Sequence, residues 1–205
     1  KPLNFGITGN MHPYSIDTEE RKYILLLLAI ASVLLAWGFS SVLSFYKISL
    51  AWWMESPSVL FFYGLLFLIF DRWGWKMFRK VGFIKTPDIN GLWKGYLKTS
   101  FDNHASEMAA TLSIFQKWTR IKVSLATEKS VSHSETASFL IEPPEGKYLN
   151  YQYVNEPKSN AAETMSIHRG TVRLVFNESE NTLSGEYYSG RDRQNFGSLY
   201  FTKQS

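Results

Sequence analysis

Arg191 and Arg193 lie one residue apart on the connection Gly190–Asn195, with Asn195 two positions on. Guanidinium groups in that pattern suit phosphate, which they can pair with bidentately. His168-Arg169 closes a second, longer connection, and Tyr151, Tyr153 and Tyr187 fall on plausible inward faces nearby. Tyrosine rings offer stacking surfaces to bases. Cations grouped with rings therefore point to a small anionic nucleotide. The same residues have a plainer reading: Arg191-Asp192-Arg193 is also what a solvated hairpin tip contains, and tyrosines also fill barrel cores. The cluster, not any single residue, carries the ligand reading.

Catalytic signatures are missing. The chain has no Walker A loop, no GxGxxG and no HExxH. Its histidines (His12, His104, His133, His168) lack metal-ligand spacing. Ser132-His133-Ser134-Glu135 offers triad residue types, but neighbours on a strand point to opposite faces and cannot build one site. Cysteine is absent, which removes disulfides and thiolate metal sites. The expectation is a binding protein that is not an enzyme and has no cofactor or metal. Asn177-Glu178-Ser179 matches a glycosylation acceptor, which a cytoplasmic domain would not use.

The residues that could bind are carried by segment 88–205, where strand-like alternation replaces long apolar runs. Eight segments are expected: Leu92–Thr99, Met108–Lys117, Thr119–Thr127, Val131–Glu142, Lys147–Val154, Gly170–Asn177, Thr182–Ser189 and Phe196–Thr202. Short antiparallel strands in this number fit an all-β, eight-stranded up-and-down antiparallel β-barrel, with a two-sheet sandwich as the alternative. Gly91, Trp93 and Gly95 share a face, so a ring between two bare positions would plug one end of a tightly curved first strand. This resembles the Gly-x-Trp of lipocalin-like barrels. Up-and-down order gathers the long connections Ser100–Glu107, Asn155–Arg169 and Gly190–Asn195 at the far end, where loops on a rigid scaffold commonly bind ligands.

The front of the chain reads as a membrane hairpin. Tyr23 to Tyr46 carries no charge over 24 positions. As a helix it would reach about 36 Å, against a hydrocarbon core of about 30 Å. A second apolar run follows within 57–78, with Pro57 suited to a first helical turn. The expected layout is an N-terminal cytoplasmic segment 1–22, transmembrane helix 23–46, periplasmic loop 47–56, second transmembrane helix with its interfacial end 57–78, and basic linker 79–87. The net charge of +4 is concentrated in Asp71–Pro87. There Trp73, Trp75, Lys76, Arg79 and Lys80 mix rings with cations. Such a mixture suits nucleic acid or a bilayer surface, and the adjoining span favours the bilayer. The positive-inside bias puts both termini and the barrel in the cytoplasm. Ser32, Ala36, Ser40 and Ser44, spaced by four, form a small-residue stripe for helix packing within the chain or for oligomerisation between chains.

This layout, with the opening stretch INGLWKGYLKTS, resembles the two-transmembrane β-barrel effectors of cyclic-oligonucleotide-based antiphage signalling (CBASS) in bacteria. The resemblance implies a multi-pass protein of the bacterial inner membrane. It implies that the barrel binds a cyclic dinucleotide, as regulatory ligand, made by a partner nucleotidyltransferase. It implies homo-oligomerisation on activation, membrane disruption and death of the infected cell, with no DNA or RNA partner. Two other readings remain: a membrane-tethered lipocalin-like barrel for an apolar ligand, and a structural docking module.

Overall fold

The computed structural model describes residues 10–47, 52–142, 146–159, 166–190 and 194–204, with backbone alone for 52–58. Two compact units result: residues 18–85, and residues up to 17 together with 86 onward.

In the first unit, α1 spans Glu20–Phe45 and α2 spans Trp52–Ile69, continuing through a π turn (Phe70–Gly74) into α3 (Trp75–Lys80). Among the described residues, α1 is the helix long and apolar enough to cross a membrane. Leu26, Val33, Leu34 and Trp37 stand exposed along it, as lipid-facing side chains must. Helix α1 packs along α2, with Phe39 meeting Phe62 edge-on at 5.9 Å. Ser32 and Ala36 are buried within the chain, whereas Ser40 is half-buried and Ser44 exposed. The Ser32 hydroxyl donates to the Ala29 carbonyl (2.6 Å). The upper half of the expected oligomerisation stripe is thus already covered.

The basic junction needs one correction. Trp73 is exposed, with Arg72 over its ring at 4.8 Å. Trp75 is fully buried and offers no ring to headgroups. Positions two apart on a helix point about 200° apart, so both rings cannot face outward. Lys76 and Arg79 are half-buried, and Lys80 is exposed.

In the second unit, β2 (Gly91–Thr99), β3 (Met108–Gln116), β4 (Arg120–Thr127), β5 (Ser130–Leu140), β6 (Lys147–Pro157), β7 (His168–Asn177), β8 (Thr182–Ser189) and β9 (Phe196–Lys203) form an antiparallel closed barrel. These are the eight expected strands, and β9 closes on β2. A ninth strand was not expected. β1 (His12–Ile16) belongs to the segment read as lying outside the barrel. β4 and β5 pair directly only at Ser124–Ala126 with Val131–His133. Beyond a bulge at Ser134/Thr136 they diverge, and β1 fills the gap, antiparallel to β4 and parallel to β5. Tyr14 enters the core there, edge-on to Phe139 at 5.4 Å, and its hydroxyl donates to the Lys117 carbonyl (3.3 Å). The Asp17 carboxylate then accepts from the Ile141 and Glu142 amides (2.8 to 3.2 Å).

The end where β2 begins is solid. Trp93 is fully buried, edge-on to Phe176 (6.1 Å), and its indole N–H donates to the Ile89 carbonyl (3.0 Å). Gln116 and Asn90 bond reciprocally beside it: the Gln116 amide to Asn90 Oδ1 (2.6 Å), and Asn90 Nδ2 to the Gln116 carbonyl (2.8 Å). Gln116 Oε1 also accepts from the Ile89 amide (3.0 Å), so these buried polar groups are paired where water is excluded.

Candidate ligand cavity and family membership

At the opposite end the same strands enclose a cavity of about 370 Å³. That falls within the usual range for small-molecule sites, roughly 300–1,000 Å³. Its wall comes from strand ends: Leu97 and Thr99 on β2, Met108 on β3, Leu125 and Thr127 on β4, and Ser130 and Ser132 on β5. Tyr153 and Asn155 follow on β6, His168 and Val172 on β7, Tyr187 and Ser189 on β8, and Leu199 on β9. Phe101, Lys129 and Asn195 complete it from the connections. No carboxylate is among these described residues.

Two glycines set the tyrosines. Tyr153 pairs across the ladder with Gly170, and Tyr187 with Gly197. A Cβ on Gly170 would come within 2.5 Å of the Tyr153 hydroxyl, and one on Gly197 within 2.7 Å of Tyr187 Cε1. Each ring therefore lies over a bare backbone position. His168 meets the Tyr153 ring edge-on at 6.4 Å, and its Nδ1 donates to the Ser166 carbonyl (3.0 Å). That bond leaves Nε2 as the acceptor of the neutral ring.

Of the residues expected at the site, Tyr153, His168, Tyr187 and Asn195 line the cavity. Tyr151 does not. It is buried in the core below, its hydroxyl without a hydrogen-bond partner among the described residues, and burial pushes its pKa strongly up. Arg169 is also elsewhere: it faces out and pairs with Glu135 (Nε to Oε2, 3.4 Å) on the bulge of β5. Because strand side chains alternate, the neighbour of an inward His168 must point outward. Arg191 and Arg193 lie outside the described residues.

Residues missed from the sequence include Thr127, Ser130, Ser132 and Asn155, all buried polar groups on the inner face. The signal was available. Ser130, Ser132 and Ser134 alternate, so the inner face of β5 is hydroxyl-bearing up to its bulge. An inward polar face marks the part of a barrel that is not packed solid.

Fold and cavity together define a small β-barrel with a ligand-sized cavity, preceded in the chain by an apolar helical hairpin. The family model described as "Cap15, cyclic dinucleotide receptor domain" matches residues 84–203, and that described as "Cap15, TM helices" matches residues 22–76. The chain belongs to the Cap15 family, the CBASS effectors it resembles in sequence, and is a membrane protein. A protein named CD-NTase-associated protein 15 from Yersinia aleksiciae is 28% identical over 140 residues, covering 67% of this chain and 65% of the relative. One of the same name from Staphylococcus schleiferi is 32% identical over 120 residues, covering 58% and 63%. The chain thus spans a little under two thirds of each relative's length.

Proposed function

We propose that this chain senses a cyclic dinucleotide in the barrel cavity and acts on the membrane that its helices enter. The nucleotide comes from a partner nucleotidyltransferase. Binding drives self-association, and the associated spans disrupt the bacterial inner membrane and kill the infected cell. Both helices span, and the barrel faces the cytoplasm. The chain acts by binding, not as an enzyme. One observation carries the reading: within the region matched by the receptor-domain family, the cavity wall combines tyrosines, hydroxyls, His168 and Lys129, with no carboxylate among the described residues. An apolar ligand fits less well beside β5, where it would bring hydrocarbon against the Ser132 hydroxyl.

A ligand that binds only the folded barrel at about 100 times its Kd stabilises it by about 2.7 kcal/mol. For a domain of this size that is a rise in Tm of roughly 10 °C. Detergent-solubilised protein is expected to show this rise with at least one cyclic dinucleotide, together with a shift to larger oligomers. No rise across a panel pairing adenine, guanine, uracil and cytosine would sink the reading. A rise without a change in oligomer size would remove the self-association step alone.

A further inference from the structure

We propose that the cavity is divided across the barrel axis into a phosphate wall and a base wall; this rests on the reading above and assigns which strands hold which part of the ligand. Ring order at this level is β4–β3–β2–β9–β8–β7–β6–β5, closed by the direct β4–β5 pairs. Ser132 pairs with Asn155, and Asn155 with His168, giving a polar row across β5, β6 and β7. Met108 pairs with Leu97, and Leu97 with Leu199, giving an apolar row across β3, β2 and β9. In a ring of eight, β5 faces β9, β6 faces β2 and β7 faces β3. The two rows are therefore opposed strand for strand, and both line the same cavity.

Phosphodiester oxygens only accept hydrogen bonds, so they need donors and favour positive charge. Ser132 and Asn155 carry the donors of the polar row, and the cation sits beside it. Lys129 projects from the β4–β5 turn, where Thr127 Oγ1 accepts from the Lys129 and Ser130 amides (3.3 and 3.1 Å). Lys158, just past β6, donates its amide to the Lys129 carbonyl (2.9 Å) and its ammonium to the Thr127 carbonyl. Two lysines thereby meet at one short turn on the polar side, and Lys129 of the two lines the cavity. Base faces lose little by leaving water for the Leu97–Leu199 side. The ligand lies with its phosphate–sugar ring toward β5 and β6 and its bases toward β2 and β9. Discrimination among bases then belongs to the apolar row, and salt dependence to the Lys129 side.

The test compares Lys129→Ala and Leu199→Thr in the full-length detergent-solubilised protein. Affinity for each member of the cyclic dinucleotide panel is measured at about 50 and about 300 mM salt. Lys129→Ala is expected to weaken every panel member that binds by about tenfold, and to flatten the loss of affinity with salt. Leu199→Thr is expected to change the ranking of bases and leave the salt dependence intact. If Lys129→Ala leaves affinity and salt dependence unchanged, or if Leu199→Thr alters the salt dependence and not the ranking, the assignment of walls is overturned while the reading of the site stands. If the wild-type protein binds no panel member, both fall together.

Discussion

Trp93 and Ser132 sit at opposite ends of one barrel, and the strands around them are the same. At the Trp93 end the interior holds Trp93, Ile114, Ile121, Phe139, Leu174 and Phe201, each at most 1% exposed. At the Ser132 end the inward positions become Thr99, Thr127, Ser130, Asn155 and Ser189 around a cavity. A closed barrel of eight strands has an interior just wide enough to be filled by side chains. Here it is filled at one end and left hollow at the other. If the hollow end is the ligand site, as proposed, stability and ligand binding are separated along the barrel axis, and substitutions at the two ends should report different quantities.

The largest effect should come from breaking the solid end. Trp93→Ala removes a fully buried ring and leaves the Ile89 carbonyl without its indole partner. A loss of about 3–5 kcal/mol is expected, read by thermal unfolding of the barrel. If Trp93→Ala left Tm unchanged while abolishing nucleotide binding, the division of labour between the ends would be wrong.

Next comes the inserted strand, which also shows where sequence reading stopped. The eight meandering strands, the buried Trp93 and the long connections at the far end were legible, because alternation and turn residues are local signals. β1 was not. It has five residues, contains Pro13, and pairs with strands more than a hundred positions away. Proline normally demotes a strand reading, and no local pattern announces a gap between β4 and β5. His168 and Arg169 were both drawn to the site, although strand alternation admits only one of two neighbours. Tyr14→Ala tests the inserted strand. It should cost about 2–4 kcal/mol, since the ring is buried against Phe139. An unchanged Tm would mean that the barrel closes without β1.

A smaller change in stability, and a larger one in binding, is expected at the hollow end. Ser132→Val places a methyl where a buried hydroxyl faces the cavity. No neighbour is lost from the packed core, so Tm should move by the equivalent of about 1 kcal/mol or less. Affinity for the cyclic dinucleotide should fall about tenfold, as expected when a buried ligand acceptor loses its donor. Calorimetry on the variant, alongside its melting curve, checks both parts. A large drop in Tm with intact affinity would show that Ser132 belongs to the core after all.

The smallest effect lies one residue away and turns the comparison from end-to-end to inside-out. His133 follows Ser132 on β5 and therefore faces outward, where its Nδ1 meets the Ser124 hydroxyl at 2.9 Å. Partial burial, followed by the charge of Lys122, holds its pKa below 6.5, while Glu156 opposes them. A histidine whose folded pKa is depressed binds fewer protons folded than unfolded between the two values. Its contribution to stability is therefore complete above 6.5 and is lost as pH falls through the lower, folded value. Between about pH 7.5 and about pH 5 the wild-type Tm should drop by more than that of His133→Gln. Lys122→Met should also narrow the difference, because removing the cation lets the folded pKa rise toward 6.5. Nucleotide affinity at neutral pH should be unchanged in His133→Gln, since the ring never faces the cavity. Equal losses of Tm in wild type and His133→Gln would remove the histidine from the account. A loss of affinity would mean that the β5 register, and with it the inward row from Ser130 to Ser134, is assigned to the wrong face.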